Sequence, residues 1–291
     1  MDWLNRKRHL LIRKLVRKFG AMDMDDSHRK STLPQASFNY INSIIGSGVI
    51  GMPYALRQSG VGVGIILLIV VAIITDYSLV LMVKAGHLSG SYSYPGMMEA
   101  AFGRWGFYIL SILQFVYPVI AMISYNVIVG DTLTKVLIYF TAVRSETLEI
   151  QREAVVLMAT FFVTLPLSLY RNVARMAKIS FMSLISIGFI MMSILIRLGP
   201  APINVPATPD AWTFASTGIL QAIGVFAFAF MCHHNTFMIY TSMENTNERK
   251  WSKVTHISIG TSLAVSLVFS LGGYATFTGN VQETLWIWIS T

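Results

Sequence analysis

The chain has 291 residues, 54% hydrophobic and 12% charged, with a mean hydropathy of +0.59. A soluble domain carries about 25% charged residues, so this chain lacks the charge to cover a water-facing surface and reads as a membrane protein. Its net charge of +8 does not signal nucleic acid, because placement matters more than the sum, and its one cysteine, Cys232, excludes an intramolecular disulfide or a cysteine metal cluster.

Residues 1–34 form a basic segment. In MDWLNRKRHLLIRKLVRKFG, Leu4, Leu11, Leu15 and Phe19 recur near helical spacing between basic residues. Such a segment either lies on an anionic leaflet as an interfacial helix or is a basic tail that enforces orientation. It lacks the continuous apolar core of a secretory signal. Asp23, Asp25 and Asp26 separate it from the membrane domain, residues 35–278.

A spanning helix needs about 20 mostly apolar residues. Seven segments meet or approach this: Ala36–Leu56, Val61–Val83, Phe107–Val129, Ala154–Tyr170, Ile179–Ile196, Ile219–Tyr240 and Ile257–Phe277. The fourth is short and contains Pro166. Lys and Arg then set orientation, because cytoplasmic loops retain them. The N-terminal region holds nine, and alternate loops add Lys84 and Arg104, then Arg171, Arg175 and Lys178, then Arg249, Lys250 and Lys253. Seventeen of the 22 therefore fall on one side, which places the N-terminus in the cytoplasm and a short tail, residues 279–291, on the opposite face.

Within the first segment, NSIIGSGVIGMPYAL spells G-x-G-x-x-G from Gly46 to Gly51, and Asp76 follows about 25 residues later, as in a dinucleotide-binding fold. That fold needs a preceding strand and a soluble βαβ unit, whereas this run sits inside an apolar span. Gly46, Gly48, Gly51 and Pro53 within eight residues instead argue for a broken helix, at about 1 kcal/mol per glycine and about 3 per proline relative to alanine. Lipid does not tolerate unpaired backbone, so the break faces protein or a water-filled cavity. Just before it, Asn39, Asn42, Ser43 and Gly46 fall on one helix face. Small residues there also permit close packing, but two amides exceed what packing requires.

The sixth segment carries a second interruption, FAFAFMCHHNTF, with Cys232, His233, His234 and Asn235 at mid-span. Adjacent histidines diverge by about 100° on a helix and no carboxylate lies at ligand spacing, so zinc is not expected. An unwound segment with one histidine near the cavity fits better, with packing or hydrogen bonding the alternative for the other. Breaks in spans one and six match the inverted-repeat transporters, whose half-helix N-termini meet an anionic substrate while freed carbonyls meet a cation. Asp76, in the second span, either belongs to an ion or proton pathway or pairs with a polar neighbour.

The runs FNYINSIIGSGVIGMPYAL, AMISYNVIVGDTL, LPLSLYRNVARMAKIS and AFAFMCHHNTF, in that order from Phe38 to about Leu285, resemble the amino acid/auxin permease family. The resemblance is closest to its sodium-coupled neutral amino acid transporters, and among them to a poorly characterised branch, with vacuolar amino acid transporters near. It implies eleven spans, the first ten a five-plus-five inverted repeat, and transport of neutral L-amino acids coupled to sodium or protons. It also implies a membrane address at the cell surface or the endolysosome or vacuole. By this resemblance Asn42 holds the cation, sodium, and the backbone of Gly46, Ser47, Gly48 and Val49 receives the substrate carboxylate. Apart from the resemblance, the mid-span polar pattern marks Cys232, His233 and Asn235 as candidates to face the substrate and Asp76 as a candidate ion-coupling group beside Asn42.

The sequence departs from the family after TGNVQETL, where it ends in WIWIST and the eighth span, source of a hydroxyl ligand for sodium in relatives, is missing. The expected fold is therefore all-α and polytopic, with seven transmembrane helices, a partial inverted-repeat fold and helices one and six broken. A C-terminally truncated product is expected, and with it little or no transport by the 291-residue form alone.

The alternative is a non-transporting membrane protein that modulates a partner or is degraded. A seven-span receptor would place the N-terminus outside, against the charge distribution. No nucleophile–base pair or metal-ligand set points to an enzyme. The expected partners are a small neutral amino acid and membrane lipid, with no nucleic acid. No cofactor beyond the coupling ion is expected, and nothing in the sequence sets an oligomeric state.

Overall fold

A computed structural model describes residues 30–141, 148–168, 173–197, 211–278 and residue 281. The basic segment up to residue 29 and the tail 279–291 apart from Val281 lie outside these. Among the described residues the chain is helical, without a β-sheet.

The first span is built from three pieces: α1 (Leu33–Ile44), α2 (Ser47–Ile50) and α3 (Met52–Ser59). Pro34 and Pro53 each occupy the first turn of a helix, where the missing N–H has no intrahelical partner to lose. Pro53 thus starts a new helix rather than kinking an old one. α3 ends at Gly60, whose φ is +80° and whose added Cβ would lie 2.7 Å from Ala215 backbone. Both the left-handed backbone and the contact demand glycine there.

α4 (Val61–Ser89) is a continuous 29-residue helix. Leu68, Ala72, Thr75 and Leu79 face inward while Ile66, Ile73, Ile74 and Tyr77 are exposed. A helix apolar on both faces suits lipid on one side and protein on the other. α5 (Tyr94–Thr141) runs on from a short first segment through Gly103, whose φ of +66° marks the kink. The predicted third span lies within it. The predicted fourth span is α6 (Leu148–Ala159), a π-helical turn at Thr160–Thr164, then α7 (Leu165–Ser168), with Tyr170 outside the described residues. The wide turn falls just before Pro166, where the i→i−4 ladder loses a donor. α8 (Val173–Arg197) covers the predicted fifth span.

α9 (Ile219–Ala229) and α10 (Thr236–Ser242), joined by a 3₁₀ turn at His233–Asn235, cover the predicted sixth span. α11 (Glu248–Phe277) covers the predicted seventh, its N-terminus capped by Asn247, whose side chain accepts from the Lys250 N–H at 2.7 Å.

Among the described residues four helices are long and apolar enough to cross a membrane: Val61–Ser89, Tyr94–Thr134, Ile219–Ser242 and Glu248–Phe277. Glu153–Thr164 and Ser180–Ile196 are shorter apolar helices. The first span misses the length because its breaks divide it into pieces of 12, 4 and 8 residues.

α11 is the spine of the packing, lying against α1, α4 and α3, while α9 packs on α3 and α1 on α8. Ser258, Ser262, Ser266 and Ser270 recur every fourth residue on its buried face, and side chains this small let helices approach closely in a membrane. Trp251, 1% exposed, donates its indole N–H to the Leu79 carbonyl at 3.1 Å and packs against Tyr40 and Tyr240 with ring centroids 5.4 and 5.6 Å away.

Candidate functional site

The first break begins where α1 stops at Ile44. The Gly46 N–H turns to the Ile44 carbonyl at 3.0 Å, so the Asn42 carbonyl loses its helical donor. Gly46 itself (φ −125°, ψ −149°) is extended, and α2 restarts at Ser47. The interruption therefore frees carbonyls on one side and N–H groups on the other.

In the sixth span α9 ends at Ala229. Phe230, Met231 and Cys232 pass through irregular backbone before the 3₁₀ turn, in which the Asn235 N–H reaches the Cys232 carbonyl at 3.1 Å. The tighter turn again leaves carbonyls without helical partners.

The two breaks meet. A Cβ added at Gly48 would lie 2.5 Å from Ala229 Cα and 2.7 Å from its Cβ, so backbone crosses backbone where each helix is interrupted. The Asn235 amide donates to Ser43 Oγ at 2.6 Å, and the Tyr40 and Thr236 hydroxyls bond at 2.9 Å. Lower on α1, Ser180 of α8 donates to Asn39 Oδ1 at 2.9 Å. Asn42 is half-buried one turn before the break and makes no side-chain hydrogen bond to another described residue. Its amide oxygen and the freed carbonyl are hard oxygen donors, the chemistry a sodium ion takes. Val49 is buried, and the Ser47 side chain lies outside the described residues.

Cys232 is fully buried. His233 Nε2 lies 2.7 Å from Ser78 Oγ, which itself donates to the Thr75 carbonyl at 2.8 Å. With its proton committed there, Ser78 accepts from the His233 Nε2–H, which leaves Nδ1 as the other polar atom of the ring. That nitrogen, and Nδ1 of His234, are buried with no hydrogen-bond partner, an expensive condition that a polar ligand relieves.

α5 supplies residues that the sequence reading missed. Gln114 donates to the His234 carbonyl at 3.5 Å, Tyr117 packs on the His234 ring at 5.2 Å, and a Cβ on Gly46 would lie 2.9 Å from the Tyr125 hydroxyl. The signal was present: Gln114, Tyr117 and Tyr125 fall within one narrow arc of a helix, but tyrosines in an apolar span look like interfacial anchors.

Asp76 stands apart from the breaks. Its Oδ2 lies 2.6 Å from His256 Nδ1 on α11, and Ser252 Oγ lies 2.9 Å from the other ring nitrogen. Its Oδ1 is buried without a partner. Of the two readings of Asp76, pairing with a polar neighbour is therefore realised in the geometry. Ser252, His256 and Asp76 form a hydrogen-bonded row that superficially resembles a triad. Ser252 lies inside α11, however, where backbone N–H groups serve the helix and form no oxyanion hole. No group of three or more His, Cys, Asp or Glu side chains suited to a metal occurs among the described residues.

A family profile described as "Transmembrane amino acid transporter protein" matches residues 29–287. A Danio rerio protein provisionally named sodium-coupled neutral amino acid transporter 11 is 50% identical over 252 residues, 87% of this chain and 56% of its own length. The Mus musculus protein of the same name is 48% identical over 259 residues, 88% of this chain and 56% of its own. Vacuolar amino acid transporter 2 of Saccharomyces cerevisiae is 30% identical over 275 residues, 88% and 56% respectively. The chain thus spans little more than half the length of the curated relatives it matches. Its apolar helices make it a multi-pass membrane protein, its relatives are named as transporters rather than enzymes, and it belongs to the transmembrane amino acid transporter family.

Proposed function

We propose that this chain carries the substrate site of a secondary active transporter of neutral L-amino acids, coupled to sodium or to protons. The observation that carries the reading is the meeting of two helix interruptions, one in the first span and one in the sixth, tied by the 2.6 Å Asn235–Ser43 bond.

The substrate carboxylate sits on the backbone of Gly46, Ser47, Gly48 and Val49, where the Gly46 and Val49 N–H groups turn to it from the Ile44 and Gly46 carbonyls they hold here and no positive side chain has to be desolvated. Its ammonium turns toward carbonyls freed in the sixth break. The side chain lies against Cys232, His233 and Asn235, with Tyr117 and Tyr125 closing the far wall. A sodium ion travels as a co-substrate at Asn42 and the neighbouring freed carbonyl, next to the carboxylate whose charge it neutralises. Asp76, through His256, is the second ion-coupling group and the place for a proton where protons drive transport.

The topology belongs to the same proposal: seven spans, the first five one arm of an inverted repeat, with the N-terminus cytoplasmic. Rocking one helix bundle against the other then alternates access to the breaks. The membrane is the cell surface or an endolysosomal or vacuolar one, and the name of the yeast relative favours the vacuolar address.

The test is uptake of radiolabelled glutamine and alanine by cells expressing the protein from its complete gene, under imposed sodium and proton gradients. Saturable uptake that follows one gradient supports the reading. No uptake under either gradient, with the protein present in the membrane, overturns it.

A further inference from the structure

The cytoplasmic ends of the two broken spans are fastened by a short backbone clasp. The Ser31 N–H donates to the Ser242 carbonyl at 2.7 Å, the Glu244 N–H donates to the Ser31 carbonyl at 3.0 Å, and the two serine hydroxyls lie 3.4 Å apart. This pairing of residue 31 with residue 243 is an isolated parallel bridge, and nothing in helix packing requires it. It joins Ser31, two residues before α1, to the end of α10, so any motion that separates the cytoplasmic halves of spans one and six must break it.

The sequence through the clasp is Arg29-Lys30-Ser31-Thr32-Leu33. For Thr32 this places arginine three residues before the hydroxyl, lysine two before, and an apolar residue directly after. Protein kinases that select substrates by upstream positive charge, through complementary acidic pockets, read such a pattern on an extended segment. Two hydroxyls are adjacent, and the structure separates them. Ser31 is 1% exposed and engaged with Ser242. Thr32 is exposed, in extended backbone (φ −71°, ψ 164°), and immediately precedes α1.

We infer that Thr32 is a phosphorylation site for a basic-directed serine/threonine kinase and that its phosphate fastens the clasp. In the transfer, Thr32 Oγ1 bonds to the γ-phosphorus of ATP as the β–γ anhydride bond breaks. ADP leaves, and the hydroxyl proton passes to the kinase's base. The new dianion stands beside the Gln35 amide, which already accepts from the Thr32 N–H at 3.0 Å, and at the positive end of α1. Lys250, in the first turn of α11, reaches the other side of the clasp, its ammonium donating to the Glu244 carbonyl at 3.4 Å. A phosphate between Lys250 and the start of α1 adds charge-assisted hydrogen bonds across the bridge. Phosphorylation therefore holds the cytoplasmic side shut. The inference rests on the proposed transport reading only in placing Thr32 on the cytoplasmic face and in giving the clasp a gating role.

The experiment takes the purified 291-residue chain in nanodiscs with the cAMP-dependent kinase and ATP. Phosphosite mass spectrometry is followed by hydrogen–deuterium exchange. Phosphate on Thr32, with the Ser31 and Glu244 amides exchanging about tenfold more slowly, is the expected result. Ser31→Ala keeps the modification and Thr32→Ala abolishes it. Should Thr32→Ala fail to fold, Thr32→Ser must still accept phosphate, and Lys250→Gln must accept it while losing the slower exchange. Phosphate on Ser31, no phosphate at all, or phosphate on Thr32 with unchanged exchange overturns the inference. None of these readouts depends on transport, so a failure here is distinct from a failure of the proposed function.

Discussion

Replacing Gly48 with alanine tests the crossing of the two breaks. The added Cβ would lie 2.5, 2.7 and 3.2 Å from Ala229 Cα, Cβ and N. Carbon atoms rest about 3.5–4.0 Å apart, so the backbones must separate by about 1 Å, and no rotamer change relieves a clash with main chain. Overpacking of this kind costs about 1–3 kcal/mol. The helix-propensity gain of alanine over glycine, about 1 kcal/mol in a helix interior, is largely lost in the four-residue α2.

The matched controls are Gly224→Ala in α9 and Gly260→Ala in α11, where an added Cβ meets nothing within 4 Å. Both should be neutral or slightly stabilising. The assay is thermal or denaturant unfolding of the three variants in nanodiscs, followed by amino-acid binding. The account requires Gly48→Ala to be less stable than both controls by at least ~1 kcal/mol and to bind amino acid more weakly. Equal stability of the three would refute the backbone crossing.

Other outcomes follow from the same contacts. A double-mutant cycle on Ser43→Ala and Asn235→Ala should give a coupling of about 0.5–1.5 kcal/mol in unfolding measurements, and additive effects would dissolve the tie between the breaks. Tyr125→Phe should weaken substrate binding several-fold while barely moving stability, because it removes only a hydroxyl facing Gly46; unchanged binding removes Tyr125 from the site. Asp76→Asn and His256→Gln should each destabilise by ~0.2–1 kcal/mol, the range for an exposed pair, since the His256 side chain is 59% exposed, and the double variant should cost less than their sum. Trp251→Phe keeps most of the ring volume but loses the bond to Leu79, at about 1 kcal/mol, measurable by the same unfolding assay.

The breaks were legible because glycine and proline act locally: Gly46, Gly48, Gly51 and Pro53 carry their cost wherever the helix lies. The sixth break was legible from Cys232, His233 and Asn235, polar groups at a depth that excludes solvent. Partnerships between spans were not. Asp76 reads as a membrane acid, but only helix register reveals that His256, 180 residues later, faces it. Gln114 and Tyr125 were hidden for a similar reason, since their arc on α5 gains meaning only when α5 lies beside the breaks. Hydropathy by itself does not show the break in the first span. Its hydropathy runs through Ala36–Leu56, whereas three short helices share that stretch, and hydropathy averages over irregular backbone that hydrogen bonding does not.

The central claim is that bare backbone at Gly46–Val49 holds a substrate carboxylate. The most direct measurement is solid-state NMR dipolar recoupling between ¹³C-carboxyl alanine and the chain carrying ¹⁵N-glycine, saturated with alanine in nanodiscs with sodium present. An N–H donating to a carboxylate oxygen at hydrogen-bonding distance puts the labelled carbon about 4 Å from glycine nitrogen. The account predicts dephasing that fits this distance and disappears when unlabelled alanine competes. Bound alanine whose carboxyl carbon shows no dephasing from any glycine nitrogen would contradict it.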